Sequence, residues 1–570
     1  MYIEAVPNRN SPPAVLLRES YRDESGKVKK RTLANLSCLK PDLIDLMRRH
    51  LKGEAFISPG EAFKITDSKA HGHVEAVLEA MRRLKIAELL DPQPRAERNQ
   101  VMAMIATRIL APHPKLSTIR FWRTTTLPEE LGVQDADDDD LYSAMDWLLE
   151  RQTRIEAVLS KRHLRQGEYV FYDLSSSYYE GQHCPLAEYG YSRDKKRGKR
   201  QINYGLLTDK DGRPICINAW PGNVSDSSTF MPMLERVRDD FGISEIVLVG
   251  DRGMLSSKNI DELREKEHLG WITALRSSSL RALVGQTGLQ LSLFDERNLF
   301  EFTAPEYPGE RLVACRNPFL ADQRGRVREE LLSAAEKDLG KVRDRVAVGR
   351  LKTAGQIGLA VGRVIDRRKM KKHFLLEVSD GHFDFRRHEE SIAQEAALDG
   401  IYVLRTSVES GKLGTAECVR QYKKLSQVER AFRTLKMAGL QIRPIHHRLD
   451  GRVRAHIFLC MLSYYVEWHM REVWREQTFA DEEQTHKETR DPVAPAQKSE
   501  SAKKKTSRKK TADGAIVHSF KSLLADLSTI IRNVCQVLPA SNADREVISI
   551  TTTPSSNQQK AFDLLKNIKL

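Results

Sequence analysis

The sequence predicts an α/β fold in which a core of buried strands and helices is interrupted by an inserted domain. Two short apolar runs, YVFYD ending at Asp173 and EIVLVGD ending at Asp251, are typical of strands in a sheet covered on both faces. The segment from Cys418 to Lys436 contains no Gly or Pro and predicts a helix. Far more residues separate Asp251 from this helix than one connection needs, which indicates an inserted, partly β-stranded domain.

Changes in composition and periodicity divide the chain into seven regions. We predict an N-terminal β-hairpin region (1–67), a helical domain (68–166), the first half of the core (167–276), an insertion domain (277–400), the second half of the core (401–475), a disordered basic linker (476–515), and a C-terminal helix and tail (516–570). In the first region, a turn at residues 24–26 joins two strands. In the second, short helical segments between Gly and Pro residues indicate a compact all-helical domain.

The charge and the cysteine content of the 570 residues limit the class of protein. Lys and Arg number 92 against 78 Asp and Glu, and the net charge of +14 favours a polyanionic partner. The seven scattered Cys residues form no CxxC pair, which argues against a disulfide framework or a zinc ribbon. Neither an apolar signal segment nor an 18-residue apolar run occurs, so we expect a soluble, cytoplasmic protein without a membrane partner.

One face of the predicted helix over residues 418–436 carries three polar side chains. Tyr422, Glu429 and Lys436 are seven residues apart, and seven steps of about 100° return to within about 20° of the same direction. A carboxylate that borders a buried stripe and is flanked by cations is a candidate site residue. The alternative is a surface Glu429 in an i,i+4 ion pair with Arg433.

Asp173, Asp251 and Glu429 together form a set of oxygen ligands. Carboxylates that follow buried strands lie where open α/β sheets place their ligands. Oxygen-only sets suit Mg²⁺, for which Mn²⁺ can substitute. Two such ions about 3.5–4 Å apart activate an attacking oxygen and stabilise a leaving oxygen at phosphorus. The three carboxylates therefore predict phosphoryl transfer on a nucleic acid backbone.

The segments around these residues resemble the Asp-Asp-Glu motif of DDE transposases, which have a ribonuclease-H-like core. The helix resembles the Tyr-x2-Arg-x3-Glu-x6-Lys signature of the Insertion Sequence 4 superfamily, matched by Tyr422, Glu429 and Lys436, but Leu425 replaces the Arg. Over roughly the first 475 residues the chain is most similar to the Insertion Sequence 1634 group, through YIEAVPNRNS, LYSAMDWLLERQ, YSRDKKRGK and IRPIHHRLDGRVRAH. The predicted order of three strands, a helix and the Asp251 strand is also that of a ribonuclease-H-like fold.

This resemblance implies an enzyme that cuts duplex DNA at the terminal inverted repeats of an insertion sequence and joins the 3′-OH ends to target DNA. Asp173, Asp251 and Glu429 would be its catalytic residues and would hold two Mg²⁺ ions. Lys436 would contact the phosphate of the transposon end, with Tyr422 beside it. The insertion domain would help to hold that end. Since two ends must be joined together, the resemblance implies a homodimer on DNA, in the nucleoid of a bacterial-type cell.

Further cations are candidates for DNA binding. The loop SRDKKRGKR after the Asp173 strand is strongly basic, and its charge density fits a loop that follows a DNA backbone. Its candidate residues are Arg193, Lys195, Lys196, Arg197 and Lys199. A merely solvated charge run is the alternative. Arg252 either contacts a phosphate or pairs with a neighbouring acid, and Arg430 or Arg433 is the candidate to take over the role of the signature Arg.

Three other features have simpler interpretations. The acidic run 135–140 is expected to cap a helix rather than to bind a metal. His446, His447 and His456 are expected to lie in the core or to face phosphates, because no Cys or carboxylate stands beside them at metal-ligand spacing. The segment FKSLLADLSTIIRNVCQVL predicts a helix that either mediates self-association or docks on its own chain.

Two other functions stay open at the level of sequence. A site-specific nuclease on the same fold would cut DNA without joining it, and only a strand-transfer assay separates it from a transposase. A decayed or repurposed transposase would bind DNA without catalysis, although the intact set of three carboxylates weighs against it. In each case the helical domain over residues 68–166 is the candidate for recognising a specific DNA end.

Overall fold

The computed structural model describes residues 1–9, 11–54, 56, 63–287, 294–437, 439–483, 491–537 and 547–570. Its strands are β1 (Tyr2–Val6), β2 (Ala14–Arg22), β3 (Val28–Asn35), β4 (Phe63–Ala70), β5 (Glu168–Tyr178), β6 (Gln201–Thr208), β7 (Pro214–Pro221), β8 (Ile246–Gly250), β9 (Leu269–Ala274), β10 (Leu299–Phe302), β11 (Arg311–Arg316), β12 (Phe374–Ser379), β13 (His382–Arg387), β14 (Ile401–Thr406), β15 (Ile531–Val537) and β16 (Val547–Thr551). Its α-helices are α1 (Pro41–Leu51), α2 (Gly72–Arg83), α3 (Ile86–Leu90), α4 (Ala96–Leu110), α5 (Lys115–Trp122), α6 (Leu127–Leu131), α7 (Asp138–Glu150), α8 (Gln152–His163), α9 (Phe230–Asp239), α10 (Ser257–Arg264), α11 (Ser277–Thr287), α12 (Pro318–Ala347), α13 (Ala354–Arg368), α14 (Glu389–Ala396), α15 (Thr415–Lys423), α16 (Leu425–Lys436), α17 (Asp450–Val473), α18 (Glu500–Arg508), α19 (Phe520–Leu527) and α20 (Ser556–Leu565).

The chain divides into two compact units, and the smaller one combines residues 1–69 with 531–552. It contains two three-stranded sheets, in the strand orders β1-β2-β3 and β16-β15-β4. The strands β2 and β3 form the predicted antiparallel hairpin, and their pairing shifts by one residue between Leu17 and Arg18. At the turn, the carboxylate of Asp23 accepts hydrogen bonds from the backbone N–H groups of Ser25 and Lys27. The hairpin prediction is therefore confirmed.

The prediction of one C-terminal helix over FKSLLADLSTIIRNVCQVL is wrong for the second half of that segment. The helix α19 ends at Leu527, and the chain continues as the strand β15. The hydroxyl groups of Ser528 and Thr529 donate to carbonyl groups of the last helical turn, which ends the helix. Ile531 and Val537 lie in the β-branched stretch that follows, which favours a strand. The buried side chains of α19, with Phe520 against Trp474, favour docking on the chain itself over self-association.

The larger unit, residues 70–530 and 553–570, is built around an eight-stranded mixed sheet. The strand order is β10-β11-β14-β9-β8-β5-β6-β7. In this sheet β5 and β9 both run parallel to β8, whereas the outer strands pair antiparallel with their neighbours. Along the chain, the strands β5, β6 and β7, the helix α9 and then β8 follow the predicted order.

Helices from the predicted helical domain pack against α17 in one continuous core. The middle of α17, residues 455–466, is buried on all sides, and most of its residues are apolar. It packs against α4, α7 and the strand β7. At the start of α7, the Asp137 carboxylate accepts from the backbone N–H of Asp140, and Asp140 returns the same interaction. This capping box confirms the interpretation of the acidic run as a helix cap.

The predicted insertion region is only partly a separate body. Its strands β10 and β11 extend the large sheet, where β11 pairs with β14. The long helix α12, the helix α13 and the hairpin β12–β13 instead share a hydrophobic cluster of their own. The strand β14 then pairs with β9 and returns the chain to the sheet, as predicted.

The predicted disordered linker contains ordered structure. Residues 484–490 lie outside the described residues, but Ser499 caps the helix α18 through its hydroxyl group. The side chain of Lys505 is buried, and its ammonium group pairs with Glu482 and donates to the Arg475 carbonyl. The prediction of disorder is therefore wrong for α18, because its lysines include one that packs into the fold. None of the helices in the described ranges combines the length and the apolar character needed to cross a bilayer.

Candidate active site

Two neighbouring parallel strands place Asp173 and Asp251 side by side. In the pairing of β5 with β8, Tyr172 lies opposite Gly250, and each Asp is the next residue along its chain. Asp173 is half-buried, whereas Asp251 follows the end of β8 and is exposed. Since adjacent strands are about 4.8 Å apart, the two residues lie side by side. Asp251 follows the end of its strand as predicted, whereas Asp173 lies in the middle of β5, which continues to Tyr178. The sequence predicted this proximity from two separate apolar runs.

The helix α16 brings Glu429 to the same place. Its buried face includes Val428, Phe432 and Leu435, and the Phe432 ring packs edge-on against Tyr204 of β6 with ring centroids 5.8 Å apart. Glu429 lies on the exposed side of the helix. Its carboxylate forms no ion pair or hydrogen bond with any described residue, so the alternative of a pair with Arg433 is not realised.

The electrostatics of Asp173 show that the three carboxylates interact. Burial, followed by the charges of Asp251 and Glu429, raises the pKa of the Asp173 carboxyl to about 7, although the nearby Arg193 opposes the rise. None of the three acids forms an ion pair with a residue in the described ranges. The site therefore holds more negative charge than its protein surroundings neutralise.

The predicted single helix over residues 418–436 is two helices. The helix α15 ends at Lys423 and α16 begins at Leu425. The apolar residues of α15 pack near β9, β10 and β11, whereas α16 packs on β5 and β6, so tertiary packing interrupts a sequence that has no helix breaker. Burial and then the nearby charge of Asp251 raise the pKa of Tyr422, so its phenol still lies near the acids.

Lys436 is held by an acid that the sequence analysis did not single out. Its ammonium group lies 3.1 Å from a carboxylate oxygen of Asp194, and its side chain is 11% exposed. Arg443 pairs with the same oxygen, and the Asp194 side chain is 2% exposed. Burial lowers the pKa of Lys436. In the sequence, the only sign of this role is that Asp194 is the one acid in the basic loop SRDKKRGKR.

The other candidate cations have different surroundings. Arg193 pairs with Asp226, and the Lys199 ammonium group lies 3.7 Å from a carboxylate oxygen of Glu180. The Lys196 ammonium group lies 5.8 Å from the centroid of the Tyr178 ring. The remaining candidates are exposed and form no ion pair within the described part of the chain, namely Lys195, Arg197, Arg252, Arg430 and Arg433. Arg252 therefore does not pair with a neighbouring acid among the described residues, which was one of its two predicted roles.

Asp226 is a second acid that sequence analysis missed. A Cβ atom placed on Gly253 would lie 3.9 Å from a carboxylate oxygen of Asp226 and 4.0 Å from one of Asp251. Asp226 thus lies beside the candidate site and holds Arg193 there. No motif marks Asp226, because it begins a short 3₁₀ helix, Asp226–Thr229, whose position depends on the folded sheet.

The donor set fits a hard divalent cation in its chemistry. Asp173, Asp251 and Glu429 offer only oxygen atoms, and their uncompensated charge is what such a cation neutralises. Among the described residues, however, no three His, Cys, Asp or Glu side chains stand close enough to hold a metal ion together. The acids would have to move closer together around a cation.

Two family models match parts of the chain. A family model for the transposase DDE domain matches residues 170–466, and a model for the N-terminal domain of IS1634 family transposases matches residues 3–59. No curated protein matches the chain. The cryo-EM structure of a piggyBac transposase synaptic complex with hairpin DNA is 11% identical, covers 81% of this chain and 77% of its own, and has a TM-score of 0.33. Because the DDE model spans more than half of the sequence, the chain belongs to the DDE transposases and is close to their IS1634 group.

Proposed function

We propose that the chain cuts DNA at the terminal inverted repeats of an insertion sequence and joins the 3′-OH ends to target DNA. The observation that carries this proposal is the group of three acids, Asp173, Asp251 and Glu429, which lack cationic partners among the described residues. A protein keeps unpaired carboxylates together at a cost, and such costs concentrate at functional sites. We assign the catalytic role to these three residues.

Two divalent cations, Mg²⁺ or Mn²⁺, complete the proposed site. When bound, they supply polarisation of the attacking oxygen and stabilisation of the 3′-oxygen that leaves. Asp173 and Asp251 would hold them from the sheet and Glu429 from the facing helix. Because Glu429 is exposed and unpaired, its side chain is free to turn toward the two Asp residues.

The strand arrangement supports a ribonuclease-H-like core. The five strands from β7 through β6, β5 and β8 to β9 are consecutive in the sheet. The first three are antiparallel along the chain, and β8 and β9 then continue parallel to β5. In this proposal the body formed by α12, α13 and the β12–β13 hairpin is an insertion that helps to hold the transposon end.

The cations around the acids are proposed to bind the DNA backbone. The exposed residues Lys195, Arg197 and Arg252 are available to phosphates without giving up an ion pair to a described acid. Arg193 and Lys199 would exchange their present acidic partners for phosphates, and Lys196 lies against an aromatic ring. Lys436 and Tyr422 are proposed to hold the end phosphate, which requires Lys436 to share or leave Asp194. Arg433 is available in place of the signature Arg.

We further propose that two copies act together on two DNA ends in the bacterial nucleoid. Joining both ends of an element to one target requires two active sites in one complex. The net charge of +14 supports association with DNA in general.

The test uses the purified full chain, a labelled fragment carrying the element's own end, a supercoiled plasmid and Mg²⁺. We expect joined products with the unaltered protein and none with Asp251→Ala or Glu429→Ala. The matched control is Asp239→Asn, which changes an exposed acid at the end of α9 that has no described partner. Cleavage without joining would contradict the proposal in favour of a nuclease. Binding without cleavage would contradict it in favour of a non-catalytic relic.

A further inference from the structure

A cavity of about 600 Å³ lies between the helical region and the segment that precedes α17. Its walls come from the end of α4, the start of α5, residues 441–449 and the first turns of α17. Cavities of this size are typical of sites for small ligands or parts of larger ones. None of the residues assigned above to the metal site lines it.

The walls of this basic pocket are strongly cationic. Four Arg and one Lys line it, namely Arg108, Lys115, Arg443, Arg448 and Arg452. No Asp or Glu occurs among the described lining residues. Two of the cations have acidic partners outside the lining, since Arg443 pairs with Asp194 and Arg452 with Asp146 at 3.3 Å.

Lys115 is the cation that most needs an explanation. The residue is 6% exposed, and within the described chain its ammonium group has no ion pair or hydrogen bond. Burial and the neighbouring Arg108 lower its pKa to about 7. A buried Lys is rarely left unpaired unless a ligand or partner supplies the missing negative charge.

His456 adds a second unsatisfied group. It is 6% exposed, and its Nε2 donates to the Ile442 carbonyl oxygen at 3.0 Å. Its Nδ1, an acceptor in this tautomer, has no partner among the described residues and calls for a donor rather than for a phosphate oxygen. The rings of Tyr142 and His447 meet edge-on, with centroids 6.1 Å apart and an angle of 87° between their planes. The pocket therefore combines a buried cation, Lys115, which suits a phosphate, with aromatic side chains beside it.

We propose that the basic pocket binds a phosphate group of the DNA on which the carboxylate site acts. Phosphate is favoured because the pocket presents several cations and, among its described lining residues, no acid. DNA is favoured over a free nucleotide because Arg443 in the pocket wall and Lys436 of α16 share the Asp194 carboxylate. Lys436 is seven residues from Glu429, or about 10.5 Å along the helix, so one DNA strand can reach both places. The choice of DNA rests on the proposed function, whereas the choice of phosphate does not.

The test measures DNA binding by fluorescence anisotropy in EDTA, with a duplex that carries the element's end, over a series of salt concentrations. Lys115→Met keeps the length and apolar stem of the side chain but removes its charge. We expect about tenfold weaker binding, from the loss of one charge-assisted hydrogen bond, and a salt dependence smaller by about one phosphate contact. The matched control, Lys161→Met, removes an exposed lysine of α8 outside the pocket and leaves the affinity within about twofold.

A second variant and a second probe complete the test. Arg448→Gln changes an exposed lining residue, so it tests the pocket even if Lys115→Met fails to fold, and we expect a loss of about threefold or more. Thermal shifts with inorganic phosphate and AMP report on small ligands. If these stabilise the unaltered protein but not Lys115→Met, while DNA affinity is the same for both, a free phosphate compound is the ligand and the proposal is overturned.

The remaining outcomes are also decisive. DNA affinity and salt dependence that do not change in either pocket variant would overturn the proposal. Because EDTA prevents metal-dependent chemistry, the binding result does not depend on strand transfer. If both pocket variants weaken binding but the unaltered protein neither cuts nor joins DNA in Mg²⁺, the pocket assignment stands and the proposed function fails.

Discussion

Replacing Asp173 with Asn should stabilise the metal-free protein, because this residue carries a charge that its surroundings disfavour. Burial and the charges of Asp251 and Glu429 raise its pKa from the usual 3.8 to about 7. The unfolded chain therefore loses this proton at lower pH than the folded chain. The resulting cost begins near pH 4, grows as the pH rises to about 7, and is complete above that value.

The size of the effect follows from the shift. A rise of about three pKa units lowers the free energy of unfolding by roughly 4 kcal/mol at pH 8. This value is an upper limit, because the folded site can relax around the charge. At pH 5 the same relation gives a destabilisation by Asp173 of only about 1.5 kcal/mol. The larger unit has roughly 480 residues, so its unfolding entropy is about 1 kcal/mol/K. Dividing the free-energy change by this entropy predicts that the Tm of Asp173→Asn rises by up to about 4 °C at pH 8.

The assay is differential scanning calorimetry of both proteins in EDTA at pH 8 and pH 5, with Asp239→Asn as the control for loss of an exposed carboxylate. We expect the stabilisation by Asp173→Asn to shrink at pH 5. Adding Mg²⁺ should raise the Tm of the unaltered protein, because the cation supplies the positive charge that the three carboxylates lack. It should not raise the Tm of Asp173→Asn, which has lost one of these carboxylates. A variant no more stable than the unaltered protein at pH 8 would refute the reasoning about unpaired carboxylates.

Three further predictions test other parts of the larger unit. Gly205→Ala should destabilise it by about 1–3 kcal/mol in urea unfolding, because a Cβ would lie 2.1 Å from the Tyr172 hydroxyl oxygen, and an unchanged midpoint would contradict this packing. Glu156→Gln should cost about 3 kcal/mol by the same measurement, since it leaves Arg236 without its fully buried partner; a loss below about 1 kcal/mol would contradict the pair's importance. In EDTA, Asp251→Asn should bind DNA more tightly than the unaltered protein by anisotropy, because one exposed charge that repels phosphates is gone. An unchanged affinity would mean that DNA binds away from Asp251.

The strands that carry Asp173 and Asp251 could be predicted because their evidence is local. A run of apolar residues in a strand covered on both faces is readable without knowledge of its neighbours. The position of Glu429 on a helix was also predicted from local propensity and from a family signature. The split of that helix after Lys423 could not be predicted, because it arises from packing of α15 and α16 on different strands.

Interactions between distant parts of the chain could not be predicted in the same way. Asp194 looks like a minor acid in a basic loop, yet it holds Lys436, 242 residues away. Asp226 gives no signal at all in the sequence, because its closeness to Asp251 exists only in the folded sheet. The strand β15 was assigned to a helix because helical and strand periodicities are hard to separate over a short apolar segment.

The carboxylate site and the basic pocket carry unpaired charges of opposite sign in the free protein, and DNA with bound cations would neutralise both. The carboxylate site lacks positive charge, and the basic pocket, where Lys115 is unpaired among the described residues, lacks negative charge. Asp194 ties the two regions together by holding both Lys436 and Arg443. A DNA strand accompanied by divalent cations supplies the charge that each region lacks, whereas either component alone leaves one region unsatisfied. DNA and metal ions should therefore bind cooperatively, and the instability of the free site is the physical source of that coupling.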